Sequence, residues 1–219
     1  MSPALCYWDV RGIAMPIRFL LAYLEVDYED KRYILTEPPH TRDVWLADKY
    51  NLGLDFPNLP YWINGDVKLT ESKAILRHIA RVHDSTGTVL PKDPTKAYKA
   101  DMLESIISDA MMAVAMFAYE YDQSKQEEVL KNLHQKLTNI SKFLGSNKWI
   151  TGDEITFPDF WLYEALIWYT RFDNDFLDPY ANFLEYIKRF ESLPAIRKYM
   201  EEPNYIQGPC INPLAKKKI

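Results

Sequence analysis

The chain has 219 residues, of which 47% are hydrophobic and 26% charged, an ordinary balance for a globular protein with a sizeable core. Its formal net charge of −5 at pH 7 gives no general drive toward nucleic-acid phosphates, which a basic surface would attract. Its two cysteines, at 6 and 210, are too few for a disulfide framework and lack the spacing of a metal knuckle.

Asp9 and Arg11 interrupt the apolar N-terminus before it reaches signal length, so the sequence predicts no secretory leader. Residues 3–9 read as a short strand. A turn follows at Gly12, and Pro16 suits the first turn of a helix, where a missing N–H is harmless. Ile17, Leu20, Leu21 and Leu24 recur at helical spacing and give that helix one buried face. Tyr28 to Leu35 predicts a second strand, and Trp45 to Tyr50 a short helix after the Pro38-Pro39 loop. Leu59 to Ile63 and Val67 to Thr70 are β-prone runs flanking Asn64-Gly65, a pair that favours the positive φ of a two-residue hairpin turn. A helix is predicted from Ser72 to Val82. The first βαβ segment implies a parallel strand pair, and the hairpin adds an antiparallel edge.

After His83 the composition changes. The turn-rich run Asp84-Ser85-Thr86-Gly87-Thr88, followed by Pro91, predicts a linker over 84–91 between an α/β domain at 1–83 and an all-helical domain at 92–219. Helices are predicted over 94–121, 126–144, 157–171, 179–190 and 194–201. The longest apolar run, Ala110 to Tyr119, is far shorter than the roughly 20 residues that span a bilayer, so it predicts a buried helix and no membrane partner. Thr156-Phe157-Pro158-Asp159 reads as a helix start, with Thr156 capping and Asp159 reaching back. His40, His78, His83 and His134 show no metal-ligand spacing, so no metal is expected. The basic tail Lys216-Lys217-Lys218 reads as a solvated terminus.

Ligands of α/β sheets lie near the carboxyl ends of the parallel strands. Tyr7 and Trp8 end the first strand, Asn58, Leu59 and Pro60 lead into the hairpin, and Ser72 opens a helix whose free N–H groups suit a carboxylate. These residues mark a site without naming its reaction. Taken alone, Tyr7 is one of 15 tyrosines and reads equally well as a packed strand aromatic. Cys6 is a rival nucleophile, but alternation sends it to the opposite face from Tyr7, where it reads as a small buried residue.

Four stretches then carry a resemblance. Tyr7-Trp8-Asp9-Val10-Arg11-Gly12 resembles the opening of mu-class cytosolic glutathione S-transferases. Leu52-Gly53-Leu54-Asp55-Phe56-Pro57-Asn58-Leu59-Pro60-Tyr61 is a closer match still. Thr70-Glu71-Ser72 with Ala74-Ile75-Leu76-Arg77, and Ile155-Thr156-Phe157-Pro158-Asp159-Phe160, complete the set in the right order along nearly the whole chain. The residue balance also looks like that of the mu-like enzymes of parasitic flatworms.

The resemblance implies a thioredoxin-like N-terminal domain, a helical C-terminal domain, a cytoplasmic homodimer and transfer of glutathione to small hydrophobic electrophiles in detoxification. Carrier binding of apolar ligands in the same cleft is a further expectation. Glutathione is then a co-substrate and no cofactor is needed. Tyr7 would donate its hydroxyl to the glutathione sulfur. Trp8, Arg42, Trp45, Lys49, Asn58, Leu59, Glu71 and Ser72 would hold the peptide, joined by Asp109 reaching across the dimer. Glu71 stands where the class usually has glutamine. Val10, Ile13, Ser108, Met112, Tyr119 and Ile211 would line the electrophile pocket. Phe56 would insert into the partner subunit, with Arg77 stacking near the twofold axis.

Overall fold

The computed structural model describes residues 2–35 and 41–219; the predicted Pro38-Pro39 loop and His40 lie outside the described residues. Four strands, β1 (Ala4–Trp8), β2 (Glu29–Tyr33), β3 (Tyr61–Asn64) and β4 (Val67–Thr70), form one sheet in the order β2-β1-β3-β4. β1 and β2 run parallel, joined by α1 (Met15–Tyr23), while β3 pairs antiparallel with both β1 and β4. With α2 (Asp43–Asp48) and α3 (Ser72–His83) added, this is the expected thioredoxin-like arrangement. Pro16 does occupy the first turn of α1.

The hairpin corrects one detail. Asn64 pairs with Val67 inside the strands, so the two-residue loop is Gly65-Asp66 and not Asn64-Gly65. Gly65 has φ +58 and Asp66 does not share a positive value. That is the pattern of a type II′ turn, with glycine at the first central position.

Side-chain alternation divides the sheet into two faces. Leu5 and Trp62 are fully buried and join the main core with α1 and α3. Cys6, Tyr33 and Tyr61 point the other way and meet Trp45, Leu54 and Leu59 in a smaller cluster. α2 covers that second face through its rings and polar groups. Trp45 stacks on Tyr61 at 6.0 Å and meets Tyr33 edge-on at 5.4 Å. The Tyr33 hydroxyl donates to Asp48 at 2.8 Å, which leaves its oxygen to accept from Tyr61 at 2.9 Å.

Residues 84–93 lead to five further helices: α4 (Pro94–Tyr119), α5 (Gln126–Leu144), α6 (Phe157–Phe172), α7 (Ala181–Glu191) and α8 (Pro194–Met200). Asp93 caps α4 by accepting the Lys96 amide at 2.9 Å. α4 as a whole is long and apolar enough on average to cross a membrane, but half of the window that qualifies is buried within the fold. Its apolar residues Leu103, Ile107, Met111 and Val114 belong to the core. α6 is buried on almost every side. Its start is the predicted capping box: Asp159 accepts the Thr156 amide at 2.8 Å, and also receives the Ile150 amide at 2.8 Å and the Tyr186 hydroxyl at 2.9 Å. Burial pushes the Asp159 carboxyl up to about 6, against the pull of these donors. Phe19 of α1 knits the two halves, meeting Tyr163, Phe190 and Tyr199 edge-on at 5.1, 5.4 and 5.8 Å.

Candidate active site

α2 and the segment before β3 enclose a cleft of about 420 Å³ lined by Trp8, Thr41, Arg42, Trp45, Leu46, Lys49, Asn58 and Leu59. The structure thus gathers Trp8, Arg42, Trp45, Lys49, Asn58 and Leu59 around one opening. Arg42, Trp45 and Lys49 fall at helical spacing and share a side of α2. Trp45 is the buried member, fixed by Tyr33 and Tyr61, with Arg42 and Lys49 on either side of it in the chain and the Lys49 ammonium 5.3 Å from the Tyr50 ring centre. Two cations beside aromatic and apolar walls suit a small ligand that carries a carboxylate. The Leu59–Pro60 peptide is cis, an isomer the sequence left open.

Tyr7 precedes the cleft residue Trp8 in β1 and does not itself line this cleft; it is half-buried, with its ring against Gly12. Gly12 has φ +51, and a Cβ there would come within 2.3 Å of the Tyr7 ring. Burial pushes the Tyr7 phenol up to about 12, and the neighbouring Tyr119 adds to the rise, while the Ile13 backbone amide pulls the other way. The phenol therefore stays protonated near neutrality and remains a donor. Cys6 is sealed in the small cluster, and burial raises its thiol to about 11 despite the Tyr61 hydroxyl. It is poorly suited to attack, since the thiolate is the reactive form.

Glu71 and Ser72 sit at the opening of α3. Ser72 is buried, and Glu71 is exposed with φ +70, a strained backbone for a residue with a side chain. Asp109 lies exposed on α4 and does not line the cleft of its own chain. Among the electrophile positions, Tyr119 at the end of α4 is 37% exposed, its phenol raised by burial and met by the Asn212 backbone amide. Ile211 and Val10 are buried, and Ile13 is half-buried. Met112 is exposed on α4, about 10 Å along the helix axis from Tyr119 at 1.5 Å per residue. Ser108 is buried, and its hydroxyl donates back to the Ser105 carbonyl at 3.0 Å.

Phe56 is 79% exposed in the single chain, so it makes no core contact there. Arg77 is engaged within its own chain, donating to Glu104 at 2.5 Å and Asp101 at 2.7 Å and lying 4.6 Å over the Phe157 ring. Among the described residues no group of His, Cys, Asp and Glu is arranged to hold a metal ion.

One cluster was not legible in the sequence. Arg11, read only as part of a motif, donates to both carboxylate oxygens of Glu164 at 2.9 and 2.6 Å. Burial alone would lower the guanidinium's proton affinity, but the Glu164 charge and hydrogen bonds outweigh it and hold the group above its ordinary value. The available signal was Glu164 itself, a carboxylate inside the apolar run of α6 that must find a partner when buried.

Two family models match the chain: the N-terminal domain of glutathione S-transferase over residues 3–81 and the C-terminal domain over residues 108–203. The chain is 41% identical to a glutathione S-transferase of Tyrophagus putrescentiae, covering 95% of this chain and 94% of that one. It is 40% identical to glutathione S-transferase Mu 1 of Rattus norvegicus, covering 99% and 98%. The crystal structure of the glutathione S-transferase Blo t 8 superposes with a TM-score of 0.84 at 35% identity, over 97% of this chain and 98% of that one.

Proposed function

The chain belongs to the glutathione S-transferase family, and from that we propose that it joins the sulfur of glutathione to small hydrophobic electrophiles, with Tyr7 holding the thiolate. The observation that carries this reading is the cleft where Trp8, Arg42, Trp45, Lys49, Asn58 and Leu59 converge, at the end of the strand that also carries Tyr7, whose phenol stays protonated.

A free thiol titrates near about 8.5, so only a few per cent is thiolate at neutrality. A hydroxyl aimed at the sulfur favours the charged form, and each unit of depression reflects about 1.4 kcal/mol. The thiolate then attacks the electrophilic carbon: a carbon–sulfur bond forms and the leaving group departs with its electron pair. Tyr119 assists that departure as a second hydroxyl donor, and Val10, Ile13, Ser108, Met112 and Ile211 wall the apolar side. Lys49 and Arg42 take the glycyl carboxylate, with the Trp45 indole as a donor. The Asn58–Leu59 backbone holds the cysteinyl unit. The glutamyl end meets Ser72 and the N-terminus of α3, where free amides and the helix dipole favour a carboxylate, and Glu71 attracts its ammonium. Asp109 approaches from the second subunit.

This chemistry calls for glutathione as co-substrate and for no cofactor. The exposed Phe56 supports a homodimer in which it anchors on the partner, with Arg77 close to the axis. Division into 1–83, a linker at 84–91 and 92–219, and residence in the cytoplasm, belong to the same reading.

Turnover of glutathione with a general aryl chloride, followed by product absorbance, tests the proposal. Saturable conjugation is expected. Glutathione binding without turnover would instead mark a carrier, and failure to bind glutathione would overturn the reading.

A further inference from the structure

The segment after α8 returns to the loop behind Tyr7. The Arg11 amide donates to the Pro209 carbonyl at 2.9 Å and the Gly12 amide to the Cys210 carbonyl at 2.8 Å. The Cys210 amide donates to the Ile219 carbonyl at 2.8 Å, and the Lys217 amide to the Ala118 carbonyl at 2.9 Å. Between these ends, the Asn212 amide meets the Tyr119 hydroxyl.

Under this strap lies the buried Arg11–Glu164 pair, with side chains 1% and 0% exposed. Its hydrogen bonding does not close on itself. Arg11 also donates at 2.8 Å to the Tyr205 hydroxyl and to the Ile206 carbonyl, both on the strap. Glu164 is fixed from behind by the Trp168 indole at 2.7 Å. A buried ion pair by itself is weak evidence for stability, since desolvation offsets much of the attraction. A guanidinium that spans a helix carboxylate, the loop after Tyr7 and the returning tail has a geometric consequence instead.

We propose that Arg11 and Glu164 form a positioning pair that registers the segment Tyr205–Asn212 over Val10–Ile13 and so sets the spacing of Ile211 and Tyr119 from Tyr7. This rests on the transferase reading given above. The pair acts on the electrophile side. The glutathione cleft is built from α2 and the Asn58–Leu59 segment, and Trp8, Arg42, Trp45, Lys49, Asn58 and Leu59 receive none of the side-chain hydrogen bonds of Arg11.

The test uses the full-length protein in three forms: Glu164→Gln, Tyr205→Phe, and the double variant Arg11→Met with Glu164→Leu. The double variant replaces the pair with apolar side chains, a change that buried ion pairs often tolerate. Steady-state kinetics would be measured with glutathione and with aryl electrophiles of increasing size. Amide hydrogen exchange at Gly12, Cys210 and Lys217 would be followed in parallel. For Glu164→Gln and the double variant, the KM for glutathione should stay within about twofold. Their kcat/KM for electrophile should fall on the order of tenfold or more, most for the largest electrophile, with faster exchange at Cys210 and Lys217. Tyr205→Phe should fold and show a smaller loss in the same direction. Unchanged electrophile kinetics in the folded variants would overturn the proposal. So would a parallel rise in both KM values, or a stable double variant with wild-type electrophile kinetics, since each marks a merely structural pair. A wild-type protein without transferase activity would refute the earlier reading instead, while the exchange data would still report whether the pair holds the strap.

Discussion

Leu5 and Trp62 look into one face of the sheet, while Cys6 and Tyr61 look into the other, and the two faces are covered to very different depths. Behind Leu5 come α1 and α3, then Phe19 and the aromatic rings of α6, α7 and α8. Behind Tyr61 there is one short helix, α2, held by Trp45 and by the Tyr33–Asp48 hydrogen bond. A helix of that length has little stability of its own. The thick side can supply rigidity because aliphatic and aromatic side chains fill it without interruption, from Leu5 and Trp62 through Phe19 to Phe160 and Phe190. The thin side leaves backbone and cations open at its rim, as a ligand cleft requires.

Substitutions can break this division of labour, and the largest effect is expected on the thick side. Asp159→Ala removes a buried acceptor from the Thr156 and Ile150 amides and the Tyr186 hydroxyl. Loss of a cap costs about 1 kcal/mol, and stranding the Ile150 amide in the core costs about 1–3 kcal/mol more, while the Tyr186 hydroxyl keeps the backbone carbonyl of residue 159 at 3.0 Å. A destabilisation of roughly 2–4 kcal/mol is expected on denaturant titration, with near-normal specific activity in the fraction that folds.

Tyr7→Phe inverts that outcome at the border between the two sides. The ring stays and only the donor goes, so the fold should be nearly unchanged while turnover at neutral pH falls strongly. Losing a charge-assisted hydrogen bond of about 1.5–3 kcal/mol destabilises the thiolate and raises the thiol pKa by roughly one to two units. Activity should partly recover as pH rises and more thiolate forms. Ultraviolet thiolate absorbance of bound glutathione against pH decides the matter; coincident curves for the two proteins would remove Tyr7 from the mechanism.

Phe56→Ala probes the outermost part of the thin side. If the exposed ring anchors a second subunit, its loss should weaken dimerisation by about 2 kcal/mol, or some thirtyfold. Sedimentation across micromolar concentrations would show it, and a wild-type protein that is monomeric throughout would sink the interface role.

The smallest effect is expected for Glu71→Gln. Its polar reach is preserved and its backbone conformation is set by the fold, so the KM for glutathione should move by less than about twofold. A large loss of affinity would show that the charge itself has a specific role.

The helical half was legible because long periodic segments and the Thr156–Asp159 cap speak locally: α5 has the predicted bounds, and α4 and α6 depart from theirs by one or two residues. The thin side was less so. β2 is shorter than the run Tyr28 to Leu35, and α2 begins at Asp43, before the apolar signal of Trp45. The turn at Gly65 was displaced by one residue because Asn-Gly is the commoner signal and Gly-Asp the one used. Arg42, Trp45 and Lys49 were found through likeness to a family; position in the elements by itself marked only Tyr7, Trp8, Asn58, Leu59, Pro60 and Ser72. Two features could not be completed from local sequence. Glu164 in an apolar run signals a need for a partner without naming it. Arg11 and Glu164 are separated by 153 positions. The positive φ of Glu71 arises because β4 ends at Thr70 and α3 starts at Ser72, leaving one residue to turn the chain.

Gly12 has a consequence for anyone wishing to reshape this pocket. The Tyr7 phenol owes its location to a missing atom: a methyl group at position 12 would occupy the space of the Tyr7 ring, and the backbone there is already in a conformation that side chains resist. A randomised library could vary the apolar wall around Tyr119 and recover new electrophile preferences. At position 12 the same library should return a single letter, because every alternative displaces the ring before it can alter selectivity. Recovery of a fully active variant with any side chain there would mean that the phenol has a second resting place.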